Sequence, residues 1–375
     1  MKTTCLSAAV LLICTVLFTF VSSAVPATAA EAAVLMEASG GNILVDVNAH
    51  TRMPMASTTK IMTAVVALEA FPDLSTEIRI PEAAVGIEGS SVYLKAGETL
   101  TAEQLLYALM LESANDAAAA IAIAVSGDLT SFADAMNRKA QQIGLLDTQF
   151  TNPHGLDSDG HYTTAYDLAL LTRYALQNPD FSRIVKTYKT TIPLNGSEGT
   201  RVLVNHNKML KAYDGAIGVK TGYTKRCGRC LVSAAERDGV TMIAVTLSDP
   251  DDWHDHAALL DYGFSQYSRV SLAESGEISC TIPVLGAEPE AVLTASNSEA
   301  VSKILPNVHG EIHYVIEANR FLCAPVERGD AVGKIVFYCD NQPIAEAPLV
   351  AQSSIPSAAI RQSFTEKLKD RFRIP

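Results

Sequence analysis

The apolar pattern changes period twice along the chain, and that constrains the fold more than any other feature. Residues 34–47 alternate apolar and polar side chains about a Gly40-Gly41 turn, with Ile43, Val45 and Val47 on one face, which reads as a hairpin. After Pro54 the recurrence becomes helical, and Ile61, Val65 and Leu68 predict a helix from about residue 57 to about residue 70. Thr101 and Gln104 make a capping box ahead of Leu105, Leu106 and Leu109. An alanine-rich helix follows at about 115–125, another carries Phe132, Met136 and Ile143, and a fifth covers 166–176. From about Ala216 the two-residue period returns, in strands at 216–221, 231–236 and 240–247, with a tight turn at Asp238-Gly239. Strands at both ends with helices between them imply one antiparallel sheet with helices against it, an α+β domain over about 31–268.

A second module begins near residue 270. Ile278, Cys280, Ile282 and Val284 alternate with polar residues, Ile312, Tyr314 and Ile316 do so again, and 332–338 is a further strand. No helical period competes, so 270–352 is expected to be a small all-β domain, closed by a linker at 353–356. In the tail, 356–375, Ile360, Phe364, Leu368 and Phe372 recur every four residues among Arg361, Lys367, Lys369, Arg371 and Arg373. That is a short basic amphipathic helix, suited to peripheral contact with an anionic membrane surface; docking on its own protein is the alternative. The sequence has no internal repeats.

At the other end, Lys2, the apolar run 6–21, Pro26 and Ala27-Thr28-Ala29 have the form of an export signal over 1–29, with the mature chain starting near Ala30. No later segment is long and apolar enough to cross a bilayer, so the mature protein is expected to be soluble or peripheral. The formal net charge of −12 argues against nucleic acid as a partner. Of seven cysteines, Cys5 and Cys14 lie in the signal, and the odd remainder cannot form a complete disulfide framework. Cys227-Gly-Arg-Cys230 lacks a second pair to complete a zinc site, and is expected to pack as small residues near a sheet, with a local disulfide left open.

Three short motifs carry chemistry. In Ser57-Thr58-Thr59-Lys60 the serine and lysine fall one helical turn apart on one face, where a lysine of lowered pKa can take the serine proton. A helix start at Ser57 also aims free N–H groups at developing negative charge. Ser113-Ala114-Asn115 falls at the junction of two helices, where a hydroxyl could relay a proton and an amide could bond a substrate amide. Lys220-Thr221-Gly222 lies on a strand, where glycine permits close backbone approach and lysine can bind a carboxylate. Each motif alone has an ordinary structural reading, as a capping serine, a helix N-terminal asparagine or a solvated lysine.

Taken together and in this order, they resemble the low-molecular-weight penicillin-binding proteins, the serine-type D-alanyl-D-alanine carboxypeptidases. Gly89-Ser90-Ser91-Val92-Tyr93-Leu94, Asn152-Pro153-His154-Gly155-Leu156, Tyr162-Thr163-Thr164-Ala165 and Gly218-Val219-Lys220-Thr221-Gly222-Tyr223 extend the resemblance over effectively the whole chain. It implies a penicillin-binding, β-lactamase-like α+β fold followed by an all-β domain. It also implies that Ser57 is acylated, that Lys60 is its base and that Ser113 passes the proton to the departing D-alanine. Asn115 would position the acyl portion, Lys220 and Thr221 would hold the terminal carboxylate, and the N–H groups of Ser57 and Tyr223 would form the oxyanion hole. Peptidoglycan stem peptides would be the substrate, β-lactams covalent inhibitors, and no metal or organic cofactor would be needed. Some relatives carry an arginine after the strand ending at Leu247, a region occupied here by Trp253-His254. A class A β-lactamase would show Ser-Asp-Asn at the second motif and a Glu-x-x-Leu-Asn stretch, and neither is present. An endopeptidase shares the same motifs, and a catalytically silent wall-binding protein would not need all three intact.

Overall fold

The computed structural model describes residues 24–194, 199–287, 290–307 and 310–357. The expected export signal over 1–29 falls mostly outside this set, and the amphipathic tail from 358 onward falls wholly outside it. The chain opens with the expected hairpin, β1 (Ala32–Glu37) and β2 (Ile43–Val47), around Gly41 at φ +73°. A short 3-10 turn, Ala56–Thr59, leads into α1 (Lys60–Ala70), so Ser57 sits in the turn that feeds the helix rather than in its first α-helical turn. The short strands β3 (Glu77–Arg79) and β4 (Thr99–Thr101) pair with each other ahead of α2 (Ala102–Leu111). The α2 cap is the capping box read from sequence: Gln104 N donates to Thr101 Oγ1 at 3.2 Å and Thr101 N to Gln104 Oε1 at 2.9 Å.

The alanine-rich helix α3 (Asn115–Ser126) is buried all round from Asn115 to Ala122, as expected of a central helix whose small side chains let neighbours approach. Three more helices, α4 (Leu129–Ile143), α5 (Ala165–Leu176) and α6 (Pro179–Lys186), complete this layer. A hairpin follows, β5 (Lys189–Pro193) with β6 (Thr200–Val204), and then the single turn α7 (Met209–Ala212). The chain returns to the sheet as β7 (Ala216–Thr224), β8 (Gly228–Arg237) and β9 (Val240–Leu247). Asp238 and Gly239 make the β8–β9 turn, both at positive φ, +51° and +80°.

The sheet order is β2-β1-β9-β8-β7, antiparallel throughout, so the last strand of this first domain lies beside its first and β7 is an edge. Strict alternation divides the side chains between two cores. Val34, Met36, Val232, Ala234, Ile243 and Val245 face the helical layer. Leu35, Leu231, Ala235, Met242 and Ala244 face the opposite side. No element expected from the sequence covers that second face. It is capped by α8 (Asp252–Ser265) through Leu259 and Leu260. Burying one such leucine contributes about 1.5–3 kcal/mol. The local sequence of α8 conceals it, because Asp251 makes no side-chain capping bond and Gly263 must lie against Leu35 and Met242.

Beyond α8 the regular elements among the described residues are all strands, with their own core around Ile282, Leu293, Ile335, Phe337 and Leu349. The first and fourth strands after α8, β10 (Tyr267–Ala273) and β13 (Val301–Pro306) once β11 (Ser279–Leu285) and β12 (Ala291–Asn297) are counted, pair with each other. A six-stranded sheet holds β11 and β12 with 312–318, 322–323, 331–339 and 342–351. Among the described residues no single helix is long and apolar enough to cross a membrane.

Candidate active site

The turn that carries Ser57 is held by the two threonines inside its motif, to which the sequence reading gave no role. Thr58 Oγ1 donates to Met55 O at 2.6 Å and Thr59 Oγ1 to Ala56 O at 2.7 Å, while His161 Nε2 lies 2.8 Å from Thr59 Oγ1. Ala56 is thereby kept at φ +47°, a conformation costly for a residue with a Cβ. Two glycines allow the turn to sit where it does. Gly155, at φ +86°, presses against the Ala56 carbonyl, and a Cβ on Gly222 would lie 3.1 Å from Met55 O and 3.2 Å from Ser57 N. The sequence pointed to Gly222 for close approach by a ligand; here the close neighbour is the Ser57 turn itself.

Lys60, in the first turn of α1, is fully buried. Its Nζ lies 2.9 Å from Ser57 Oγ, 2.7 Å from Asn115 Oδ1 and 2.5 Å from His154 O. Asn115 Oδ1 and the His154 carbonyl can only accept, so a neutral Nζ spends its two hydrogens on them and turns its lone pair to the Ser57 hydroxyl. Burial holds the Lys60 pKa well below the ordinary lysine value, the Lys220 cation lowers it further, and the Asp116 carboxylate opposes both. His154 is itself kept neutral, its pKa lowered to about 3 by burial and then by the charge of Lys60.

Asn115 opens α3 and is tied to the loop across from it, donating from Nδ2 to Glu88 O at 2.5 Å and from its backbone N to Ser90 O at 2.7 Å. Ser113, two residues earlier at the α2–α3 junction, is buried at φ +57°, and its Oγ has no hydrogen-bond partner among the described residues. Such an orphan is uncommon, since buried hydroxyls are nearly always bonded.

Lys220 and Thr221 lie on the edge strand β7. Lys220 is buried, its Nζ donates to Thr221 O at 3.1 Å, and its pKa is pushed down to about 7 by burial against the pull of Glu112. Tyr223 is 66% exposed. Across the ladder Gly222 faces Cys230 and Tyr223 faces Arg229. The Arg229 guanidinium bonds Asp252 at 2.6 Å and lies 5.7 Å from the centroid of the Trp253 ring, so a cation stands beside the region where the sequence showed only Trp253-His254. Cys227 and Cys230 are buried free thiols, packed against the sheet rather than bridged.

The structure thus brings Ser57, Lys60 and Asn115 into direct contact, with Lys220 close enough to act on Lys60 electrostatically. The family model described as D-alanyl-D-alanine carboxypeptidase matches residues 19–251. The chain belongs to the D-alanyl-D-alanine carboxypeptidase family. A second model, the C-terminal domain of penicillin-binding protein 5, matches residues 267–357. The carboxypeptidase DacF of Bacillus subtilis (strain 168) is 32% identical over 88% of this chain and 86% of its own length. Among solved structures, penicillin binding protein 5 from Haemophilus influenzae superposes with a TM-score of 0.64 at 26% identity, covering 90% of this chain and 100% of that one. The Streptomyces K15 DD-transpeptidase gives 0.62 at 34% identity, over 65% of this chain and 100% of its own. Members of this family are serine-type DD-peptidases of the bacterial cell wall, and the fold expected from the resemblance, helices on an antiparallel sheet followed by an all-β domain, is the one observed.

Proposed function

We propose that the chain removes the terminal D-alanine from peptidoglycan stem peptides ending in D-Ala-D-Ala, through an acyl-enzyme on Ser57. The observation that carries this reading is the buried Lys60 Nζ, 2.9 Å from Ser57 Oγ and held by Asn115 and the His154 carbonyl. Ser57 Oγ attacks the carbonyl of the penultimate residue as its proton passes to Lys60 Nζ. The amide C–N bond then breaks, and the proton held by Lys60 is relayed through the Ser113 hydroxyl to the departing D-alanine amine, leaving Lys60 neutral and Ser113 protonated. Water afterwards cleaves the ester and regenerates the hydroxyl. Lys220 and Thr221 receive the terminal carboxylate, Asn115 holds the acyl portion, and the N–H groups of Ser57 and Tyr223 stabilise the oxyanion. Gly222 keeps β7 against the nucleophile turn. A β-lactam enters the same path, but its leaving group stays tethered and shields the ester from water.

The reading includes export to the outer face of the cytoplasmic membrane, with 1–29 as the signal, 31–268 as the catalytic domain, 270–352 as the β-domain and 356–375 as a membrane-contacting tail. Charge supports the tail assignment: Arg361, Lys367, Lys369, Arg371 and Arg373 cluster in a chain of net charge −12. The test is to incubate the purified protein with a pentapeptide ending in D-Ala-D-Ala and assay free D-alanine, alongside labelling by a fluorescent penicillin. Wild type should release D-alanine and carry the label on Ser57, and Ser57→Ala should do neither. A label on any other residue overturns the assignment. Truncation after Pro356 should leave activity intact and release the protein from anionic vesicles.

A further inference from the structure

Asp116 follows Asn115 in α3, yet it behaves unlike an ordinary acidic residue at a helix start. It is 1% exposed, and both carboxylate oxygens are directed at the loop opposite. Ser91 Oγ donates to Oδ2 at 2.6 Å, Leu94 N to Oδ2 at 2.9 Å and Val92 N to Oδ1 at 3.3 Å, while Ala117 N of its own helix reaches Oδ1 at 2.9 Å. The same loop lies against Asn115 through Glu88 O and Ser90 O. It has no slack there: a Cβ on Gly89, at φ +93°, would stand 2.8 Å from Asn115 Nδ2. Its far end is anchored by Arg201, which donates to Tyr93 O at 3.3 Å and pairs with the buried Glu98. Asp116 is therefore the hub of a lip, residues 88–94, whose inner surface fixes the amide that touches Lys60.

The charge of Asp116 matters as well as its shape. The charged or titratable groups facing Lys60 are Lys220 from β7, His154 from the loop before Gly155, and Asp116 from α3. His154 is neutral and Lys220 repels a second cation, so Asp116 is the one group of the three that favours the Lys60 ammonium.

We propose that Asp116 is a positioning residue for acylation: its carboxylate fixes the 88–94 lip over Asn115 and supplies the compensating negative charge near Lys60. This rests on the reading of Lys60 as the base of Ser57. A base that must be neutral to accept the serine proton, but must carry that proton in the intermediate, gains from a nearby anion in the second state.

The experiment measures the second-order rate of penicillin acylation from pH 5 to 9, and KM and kcat for the pentapeptide, on the full chain. Asp116→Asn removes the charge and keeps the size. Its acid limb should move to lower pH by about one unit, because Lys60 loses its proton more readily, and KM should rise several-fold as the lip loosens. Ser91→Ala removes one lip bond and no charge, so KM should rise while the acid limb stays in place. The exchanged pair Ser91→Asp/Asp116→Asn returns a carboxylate to the same hydrogen bond and should bring the limb back towards wild type, and it serves as the test of charge if Asp116→Asn alone does not fold. A limb unmoved in Asp116→Asn, or not restored by the exchange, overturns the electrostatic role. An unchanged KM in both Asp116→Asn and Ser91→Ala overturns the lip. Retained labelling in Ser57→Ala would instead sink the underlying reading of the site, whatever Asp116 does.

Discussion

Lys220 on β7 and Lys60 on α1 are both buried, and the charge of the first lowers the proton affinity of the second. Replacing Lys220 by Gln removes that repulsion, so the Lys60 pKa should rise and a smaller fraction of Lys60 should be neutral at a given pH. The acid limb of penicillin acylation in Lys220→Gln should therefore move to higher pH, beyond the loss of carboxylate binding that the proposed role of Lys220 entails, which lowers the whole profile. Stopped-flow labelling at several pH values, normalised to each plateau, reads the shift. A normalised profile that overlays wild type would show that the two lysines do not share a field.

Gly222 tests how tightly β7 sets the nucleophile turn. An added Cβ would meet Met55 O at 3.1 Å and Ser57 N at 3.2 Å, close enough that either the strand or the turn must move by a few tenths of an ångström. Gly222→Ala should cost about 1–3 kcal/mol in stability as an overpacking change. It should also slow acylation at least tenfold, since small misplacements of reacting atoms are expensive. Urea unfolding and the labelling rate separate the two effects, and wild-type labelling with a lowered midpoint would show that the turn absorbs the change.

Acid should destabilise the fold earlier than carboxylate protonation alone requires. Burial lowers the pKa of His154 to about 3, of His161 to about 4 and of His256 to about 3, all from an ordinary 6.5. Below about pH 6.5 the unfolded chain binds protons that these folded histidines refuse, so their contribution is complete above 6.5 and is lost as pH falls towards 4 and then 3. The urea midpoint should drop between pH 7.5 and pH 5, and equal midpoints at the two would refute the account.

Asp249 runs the other way. It is fully buried, its Oδ2 has no partner among the described residues, and burial followed by Asp255 and Asp252 raises its pKa to about 6. The folded state must therefore carry a disfavoured charge once pH exceeds about 6, a cost absent at pH 4. Asp249→Asn keeps an acceptor for the Asp251 N–H, bonded at 3.0 Å, and should raise the melting temperature at pH 8 more than at pH 5. An equal or opposite change at the two values would show that Asp249 has a partner it needs.

Much of this site was legible because its parts are local. Ser57 and Lys60 share a helical turn, Thr101 and Gln104 announce a helix, and Asp238-Gly239 announces a hairpin, each within four residues. What escaped is what the fold assembles from a distance. Asp116 looks like any helix-starting acid until the loop at 88–94 folds onto it, and the His154 carbonyl that binds Lys60 Nζ is a backbone group no motif can name. The buried threonines Thr58 and Thr59 left a weak signal, hydroxyls spaced to bond back three residues, but only the strained turn at Ala56 gives that spacing a purpose. Helix α8 escaped because its apolar side is short and its value lies in covering the second face of a sheet whose closure depends on β1 pairing with β9.

Ser113 offers the cleanest separation of function from structure. Its hydroxyl is buried with no hydrogen-bond partner among the described residues, and its backbone sits at φ +57°, so no described contact rewards the side-chain oxygen. Removing an unsatisfied buried polar atom should be neutral or stabilising, because its desolvation cost disappears with it. If the hydroxyl relays the proton to the leaving amine, that same removal should slow release of D-alanine by on the order of 10²-fold or more, the usual scale for a positioned proton donor. Ser113→Ala should therefore melt at or above the wild-type temperature while losing most of its turnover. Penicillin labelling should suffer less than peptide turnover if the relay acts mainly at amine departure, because the β-lactam nitrogen leaves from a strained ring. A variant that melts lower and turns over normally would reverse the reading, making Ser113 a structural residue and leaving the proton to another path.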